Sequence, residues 1–179
     1  MSNMKIEFTA HQPFTAPNSR AGLVITPQLV VGGVLLILFV MQLVAGVQWD
    51  ALKALQSNSL YKQLTGLLLG FFIARQFRLG LARMKKRTSN IRSRLAQHKW
   101  QGVLAPLLFF VHSTTLGYAY TLILSVVFLS NIAVGLINVE VVRVRAQAYL
   151  SAWMVVHVGL AMATVGLAAF HVYIVYFYA

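Results

Sequence analysis

Four of the five histidines fall into two pairs with the same internal spacing: His98 with His112, and His157 with His171, fourteen residues apart in each pair. Fourteen residues is close to four helical turns, a rise of about 21 Å. Both members of a pair therefore lie on nearly one face of one helix, near opposite sides of a bilayer. Two such helices side by side would offer two imidazole pairs, one above the other. That layout suits two stacked haems b, each with two axial imidazoles. Iron ligated in this way has no open position, which favours electron transfer over oxygen chemistry. A polar ring in lipid is costly without a partner, so an intramembrane histidine is functional by default. Plain hydrogen bonding between helices gives no reason for matched spacing. A proton relay wants nearby carboxylates, and Glu140 alone lies at a helix end. A two-metal centre needs ligands a few ångströms apart and additional carboxylates.

Composition sets the surroundings. The chain has 179 residues, of which 59% are hydrophobic and 10% charged, with a mean hydropathy of +0.73. A soluble domain of this size cannot hide so much apolar surface, so lipid must cover it. The formal net charge is +12, from 15 Lys and Arg against 3 Asp and Glu. Because the basic residues cluster between apolar runs, this charge points to a membrane surface rather than to nucleic acid. No cysteine is present. That excludes disulfides, thiolate-bound zinc, iron–sulfur clusters and covalently attached c-type haem. The soft metal ligands that remain are five histidines and six methionines.

Five apolar segments are long enough to span: roughly 29–47, 60–81, 97–115, 116–139 and 148–177. A span needs about 20 apolar residues, and tilt absorbs the excess in the longest. Backbone groups in lipid must be paired internally, and no period-2 alternation supports a barrel, so helices are expected. The predicted fold is an all-α integral membrane protein, a bundle of five transmembrane helices over 29–179, behind a polar tail over 1–28. The tail lacks the layout of a signal peptide and reads as retained. Nine of the fifteen Lys and Arg fall between Arg75 and Lys99, around a basic loop at about 82–97. Arg143 and Arg145 lie between the fourth and fifth segments, and Lys5 and Arg20 precede the first. Alternation puts all three regions on one side, with Lys53, Lys62 and Asp50 on the other. The positive-inside rule makes the basic side cytoplasmic, so the N-terminus is in and the C-terminus out. The aromatic stretch from Tyr173 to Tyr178 then suits the outer interface. The third and fifth segments run in parallel, with His98 and His157 the inner members and His112 and His171 the outer. The expected location is the bacterial inner (cytoplasmic) membrane.

Other residues fill in this picture. Gly102 lies one turn beyond His98, Gly159 follows His157, and Gly166 lies between the fifth-segment histidines; small residues are needed where a flat macrocycle meets a helix. Gly66 and Gly70 form a GxxxG, read as helix packing. Pro106 is expected to bend the third segment. The run from Arg83 to Arg94 serves topology and anionic lipid. Arg75, Arg78 and Lys99 are, by depth, the candidates to neutralise the propionates of an inner haem. Trp100 and Trp153 read as interface anchors rather than electron relays. Ser113, Thr114 and Thr115 either bond outer-haem propionates or form a wet turn. His11, on the polar tail, has no spacing partner and no assigned role.

The string His98-Lys99-Trp100-Gln101-Gly102, continuing to His112, resembles the HRxxG…H ligand helix of the ferric reductase-like transmembrane domain. That superfamily includes iron reductases, NADPH oxidases and a bacterial haem subunit serving methionine sulfoxide repair. Trp153…His157…His171 is similar to its fifth helix. The resemblance covers roughly 29–179 and implies a two-haem electron wire, with His98 and His157 on the inner haem iron and His112 and His171 on the outer. The family core has six helices where five are read here, and Lys99 stands where the family often has arginine. No dinucleotide-binding glycine motif is present. Spacing of this kind also occurs in the diheme subunit of quinol–cytochrome c reductase.

The expected function is that of a diheme cytochrome b subunit. It would carry electrons across the bilayer between a quinol or flavoprotein donor and a partner redox acceptor, within a larger complex and without a catalytic residue of its own. The expected partners are membrane lipid, other redox subunits and a quinone, with no nucleic acid. The competing reading is a non-redox structural or assembly subunit whose basic face docks a partner. A transporter is disfavoured by the scarcity of membrane carboxylates and the lack of an inverted repeat.

Overall fold

A computed structural model describes residues 22–85, 90–138, 140–143 and 147–178. The chain is mostly helical. Helix α1 spans Pro27–Ala45, α2 Asp50–Ser57, α3 Ser59–Gln76, α4 Arg78–Met84, α5 Ile91–His112, α6 Tyr120–Leu136 and α7 Gln147–Phe177. The local sequence accounts for several ends. The Thr26 hydroxyl accepts from Leu29 N–H at 3.2 Å and Pro27 occupies the first turn of α1, while Gly46 closes it in the left-handed region at φ 62°. Both choices satisfy end groups that the helix itself cannot pair. The Asn58 side chain caps α3 by accepting from Tyr61 N–H at 3.1 Å.

Three helical stretches are long and apolar enough to cross a membrane: Pro27–Ala45, Ser59–Met84 and Gln147–Phe177. Only 11%, 11% and 6% of their apolar windows are buried within the protein. Their apolar side chains, such as Leu38, Leu67, Val155 and Met162, therefore face outward. Water does not tolerate a continuous apolar surface of this extent, and lipid does. Helix α5 is also long, but its first half carries Arg92, Arg94 and Lys99.

Two boundaries depart from expectation. The segment 116–139 contracts to the 17 residues of α6. A turn takes its first residues: Gly117 and Ala119 have φ of 78° and 52°, and Tyr118 N–H donates to Thr121 Oγ1 at 2.8 Å. The basic loop at 82–97 is largely helical, with α4 reaching Met84 and α5 starting at Ile91. Lys and Arg are good helix formers, so charge alone does not make a loop. Of the N-terminal tail, residues 22–28 are described, and they are not purely irregular. Strand β1 (Gly22–Leu23) pairs antiparallel with β2 (Val142–Arg143), so the fold is not strictly all-α. Lys5, His11, Arg20 and Arg145 lie outside the described residues.

The core is the junction of α1, α5 and α6. Phe39, Val103, Ala105, Phe109, Phe128, Ile132 and Leu136 are buried there. The Phe109 ring meets Phe39 edge-on at 5.4 Å between centroids and Phe128 at 5.6 Å. A Cβ at Gly32 would come within 2.5 Å of Leu136 Cδ2, so that side chain of α6 packs directly onto the glycine of α1. Helix α3 packs on α5, and α7 on α6. Among the described residues, α5 and α7 form no comparable backbone seam. They meet through side chains.

Candidate functional site

The side chains that meet are the histidines. The His98 and His157 rings lie 6.2 Å apart between centroids with planes at 86°, and the His112 and His171 rings lie 6.4 Å apart at 81°. The equal spacing along each helix thus becomes two cross-helix pairs. Each helix holds its pair on one stripe, with a small buried residue seven positions from both ligands: Ala105 on α5 and Thr164 on α7.

Flanking helices hold the imidazoles by their Nδ1 sides. Thr65 Oγ1 on α3 lies 3.1 Å from His112 Nδ1. The side-chain amide of Gln76, also on α3, reaches His98 Nδ1 at 2.7 Å, the His98 carbonyl at 3.2 Å and Gly102 N–H at 3.0 Å. With its nitrogen towards His98, the amide satisfies all three; the opposite orientation offers its oxygen to an Nδ1–H. Tyr120 on α6 brings its hydroxyl to 3.4 Å from His171 Nδ1. His157 differs, because among the described residues no side chain hydrogen-bonds its Nδ1. Its ring instead stacks on Trp153 at 5.3 Å and 10°, and the indole N–H donates to Val134 O on α6 at 2.9 Å.

Glycines complete the two cradles. A Cβ at Gly66 on α3 would stand 3.2 Å from His112 Cε1, and one at Gly135 on α6 would stand 3.2 Å from His157 Cε1. Gly66 therefore backs a histidine, whereas the sequence had paired it with Gly70 as a packing motif. A Cβ at Gly102, Gly159 or Gly166 would meet no neighbouring atom within 4 Å. Gly102 shares a face with His98. Gly159 and Gly166 fall well away from the ligand stripe at about 100° per residue, so they do not line it.

Charge gathers at one level only. Arg75, Arg78 and Arg94 line a small polar cleft with Gln76, Gln97, Gln101 and His98. The Nε atoms of Arg75 and Arg94 are buried there without a partner. Lys99, expected beside these arginines, is ion-paired with Glu140. At the other level, Ser113 Oγ donates to Thr115 O at 2.8 Å and the Thr114 hydroxyl donates to Gln56 Oε1 at 3.0 Å. Those hydroxyls build the turn and its tie to α2. Trp100 is substantially exposed, as an anchor would be; Trp153 is not an anchor but a platform for His157.

The donor set limits what the pairs can hold. Two imidazoles binding one metal from opposite sides, each through a nitrogen about 2.0–2.1 Å away, have ring centroids about 6.3 Å apart. Both observed separations fit that arrangement. Each site supplies two protein ligands, and among the described residues no group of three or more His, Cys, Asp or Glu comes together. A bare ion would need further protein donors, whereas a haem iron brings four equatorial nitrogens of its own. Comparison with family models, curated proteins and solved structures finds no match to this chain.

Proposed function

We propose that the protein is a membrane cytochrome b that binds two haems b and moves single electrons across the bilayer. One observation carries this reading: two separate imidazole pairs, each at the separation that a shared axial metal requires. His98 and His157 would hold the inner iron and His112 and His171 the outer. When bound, the haem supplies the one-electron change between ferrous and ferric iron. The protein's part is to fix four imidazoles, shield them from water and tune them. Arg75 and Arg78, with Arg94 beside them, are placed to receive inner-haem propionates; Lys99 already has Glu140 as counter-ion.

In this reading α1, α3 with α4, α5, α6 and α7 are the five spans of a bundle. The arginine-rich end lies at the cytoplasmic face of a bacterial inner membrane, the N-terminus inside and the C-terminus outside. A quinol or a cytoplasmic flavoprotein would donate electrons and an outer redox partner accept them, within a complex resembling those of the ferric reductase-like domain. Protein purified after haem-replete expression is expected to show a b-type reduced alpha band and a pyridine haemochrome equivalent to two haems per chain. A colourless preparation overturns the proposal.

A further inference from the structure

We infer that Thr65 fixes the tautomer of His112 and, through it, sets the reduction potential of the outer site separately from the inner. The inference rests on His112 being an axial ligand. A threonine hydroxyl has one proton. Here Oγ1 lies 2.8 Å from the Tyr61 carbonyl and 3.3 Å from the Lys62 carbonyl, both of which only accept. The proton is committed to that backbone, an arrangement helical threonines commonly adopt. What Oγ1 offers His112 Nδ1, 3.1 Å away, is therefore a lone pair. Nδ1 must carry the ring proton and Nε2 must be bare. Gly66, the next residue, lets the ring lie against α3, since a Cβ there would stand 3.2 Å from His112 Cε1.

The consequence is electronic as well as geometric. An Nδ1–H that donates to an oxygen leaves more electron density on the ring, and such outer contacts raise ligand basicity. A more basic axial ligand favours ferric iron and lowers the potential. The inner histidines are held otherwise: the Gln76 amide nitrogen donates to His98 Nδ1, and among the described residues no side chain hydrogen-bonds His157 Nδ1. The outer site thus has a tuning contact that the inner site does not share.

Thr65→Val removes the hydroxyl at nearly constant volume, and Thr65→Ser restores it. In a potentiometric titration of the haem-loaded protein, Thr65→Val is expected to keep both haems and raise one potential. Loss of one hydrogen bond corresponds to about a tenfold change in the reduction equilibrium, which is about 59 mV for one electron. The other potential stays in place, and Thr65→Ser returns the first to the wild-type value. In haem-free protein labelled with 15N-histidine, His112 is expected to show the Nδ1–H tautomer in wild type and in Thr65→Ser, and a mixture in Thr65→Val. Unmoved potentials in a Thr65→Val protein that retains both haems, equal shifts in both, or a Thr65→Ser protein that behaves like Thr65→Val would each overturn the inference. If wild-type protein binds no haem, the cytochrome reading fails, while the tautomer measurement still decides whether Thr65 controls His112.

Discussion

The two histidine pairs have the same ligand spacing and nearly the same ring separation, yet they sit in opposite surroundings. The inner pair is embedded in charge: Arg75, Arg78 and Arg94 line the cleft beside His98, and Lys99 pairs with Glu140 nearby. The outer pair is embedded in hydroxyls, with Thr65 on His112, Tyr120 on His171, and a turn of Ser113 and Thr114 locked to Gln56. Their supports differ too. His157 stacks on an aromatic platform, whereas His112 meets a threonine hydroxyl at its Nδ1. Histidine spacing can thus repeat along a helix while the contacts at each level come from different neighbours.

Removing a ligand should separate the two levels most sharply. His98→Ala or His157→Ala is expected to halve the haem content and leave the outer haem; His112→Ala or His171→Ala should leave the inner one. Pyridine haemochrome with redox titration distinguishes them. If any single change removes both haems while the protein remains folded, the two levels are not independent.

A smaller effect is expected at the platform. Trp153→Ala deletes the stacked indole and its bond to Val134, a loss of about 1–2 kcal/mol from the support of His157. Inner-haem retention during mild detergent challenge should fall and outer retention should not. Equal loss at both levels would make Trp153 a general fold residue.

Smaller still are the glycine cradles. A Cβ at Gly66 or Gly135 forces its histidine to yield by a few tenths of an ångström. Gly66→Ala should shift the electron paramagnetic resonance signal of the outer iron, and Gly135→Ala that of the inner. Crossed or shared shifts would contradict the assignment of one glycine to each level. The smallest change is expected from charge at the inner cleft. Arg75→Gln with Arg78→Gln removes cations that favour the less positive ferrous state, so the inner potential should fall, more at low ionic strength than at high. An unchanged inner potential would remove these arginines from that site.

Sequence spacing carried the histidines all the way to their structural pairs, because a helix converts a fourteen-residue interval into alignment without help from elsewhere. Trp153 was within reach by the same logic, since it stands one turn before His157 on the same face. The remaining supports were not. Thr65, Gln76 and Tyr120 are 47, 22 and 51 residues from the histidines they serve, as counted along the chain. Only the packing of α3 on α5 and α6 on α7 brings them there. The glycines show the same limit. Gly159 and Gly166 are near the ligands in sequence but on the wrong side of the helix. Gly66 and Gly135 are distant in sequence and touch the rings. The shortened α6 was hidden because hydropathy does not register a turn whose residues are themselves apolar or aromatic, such as Leu116 and Tyr118.

If each pair holds one haem iron as proposed, its two imidazole planes are near perpendicular, at 86° and 81°. Low-temperature electron paramagnetic resonance of the oxidised, haem-loaded protein tests it most directly. Two strongly anisotropic low-spin ferric signals of equal intensity, one for each level, are expected. A high-spin ferric signal, or a single low-spin species at one haem per chain, would contradict it.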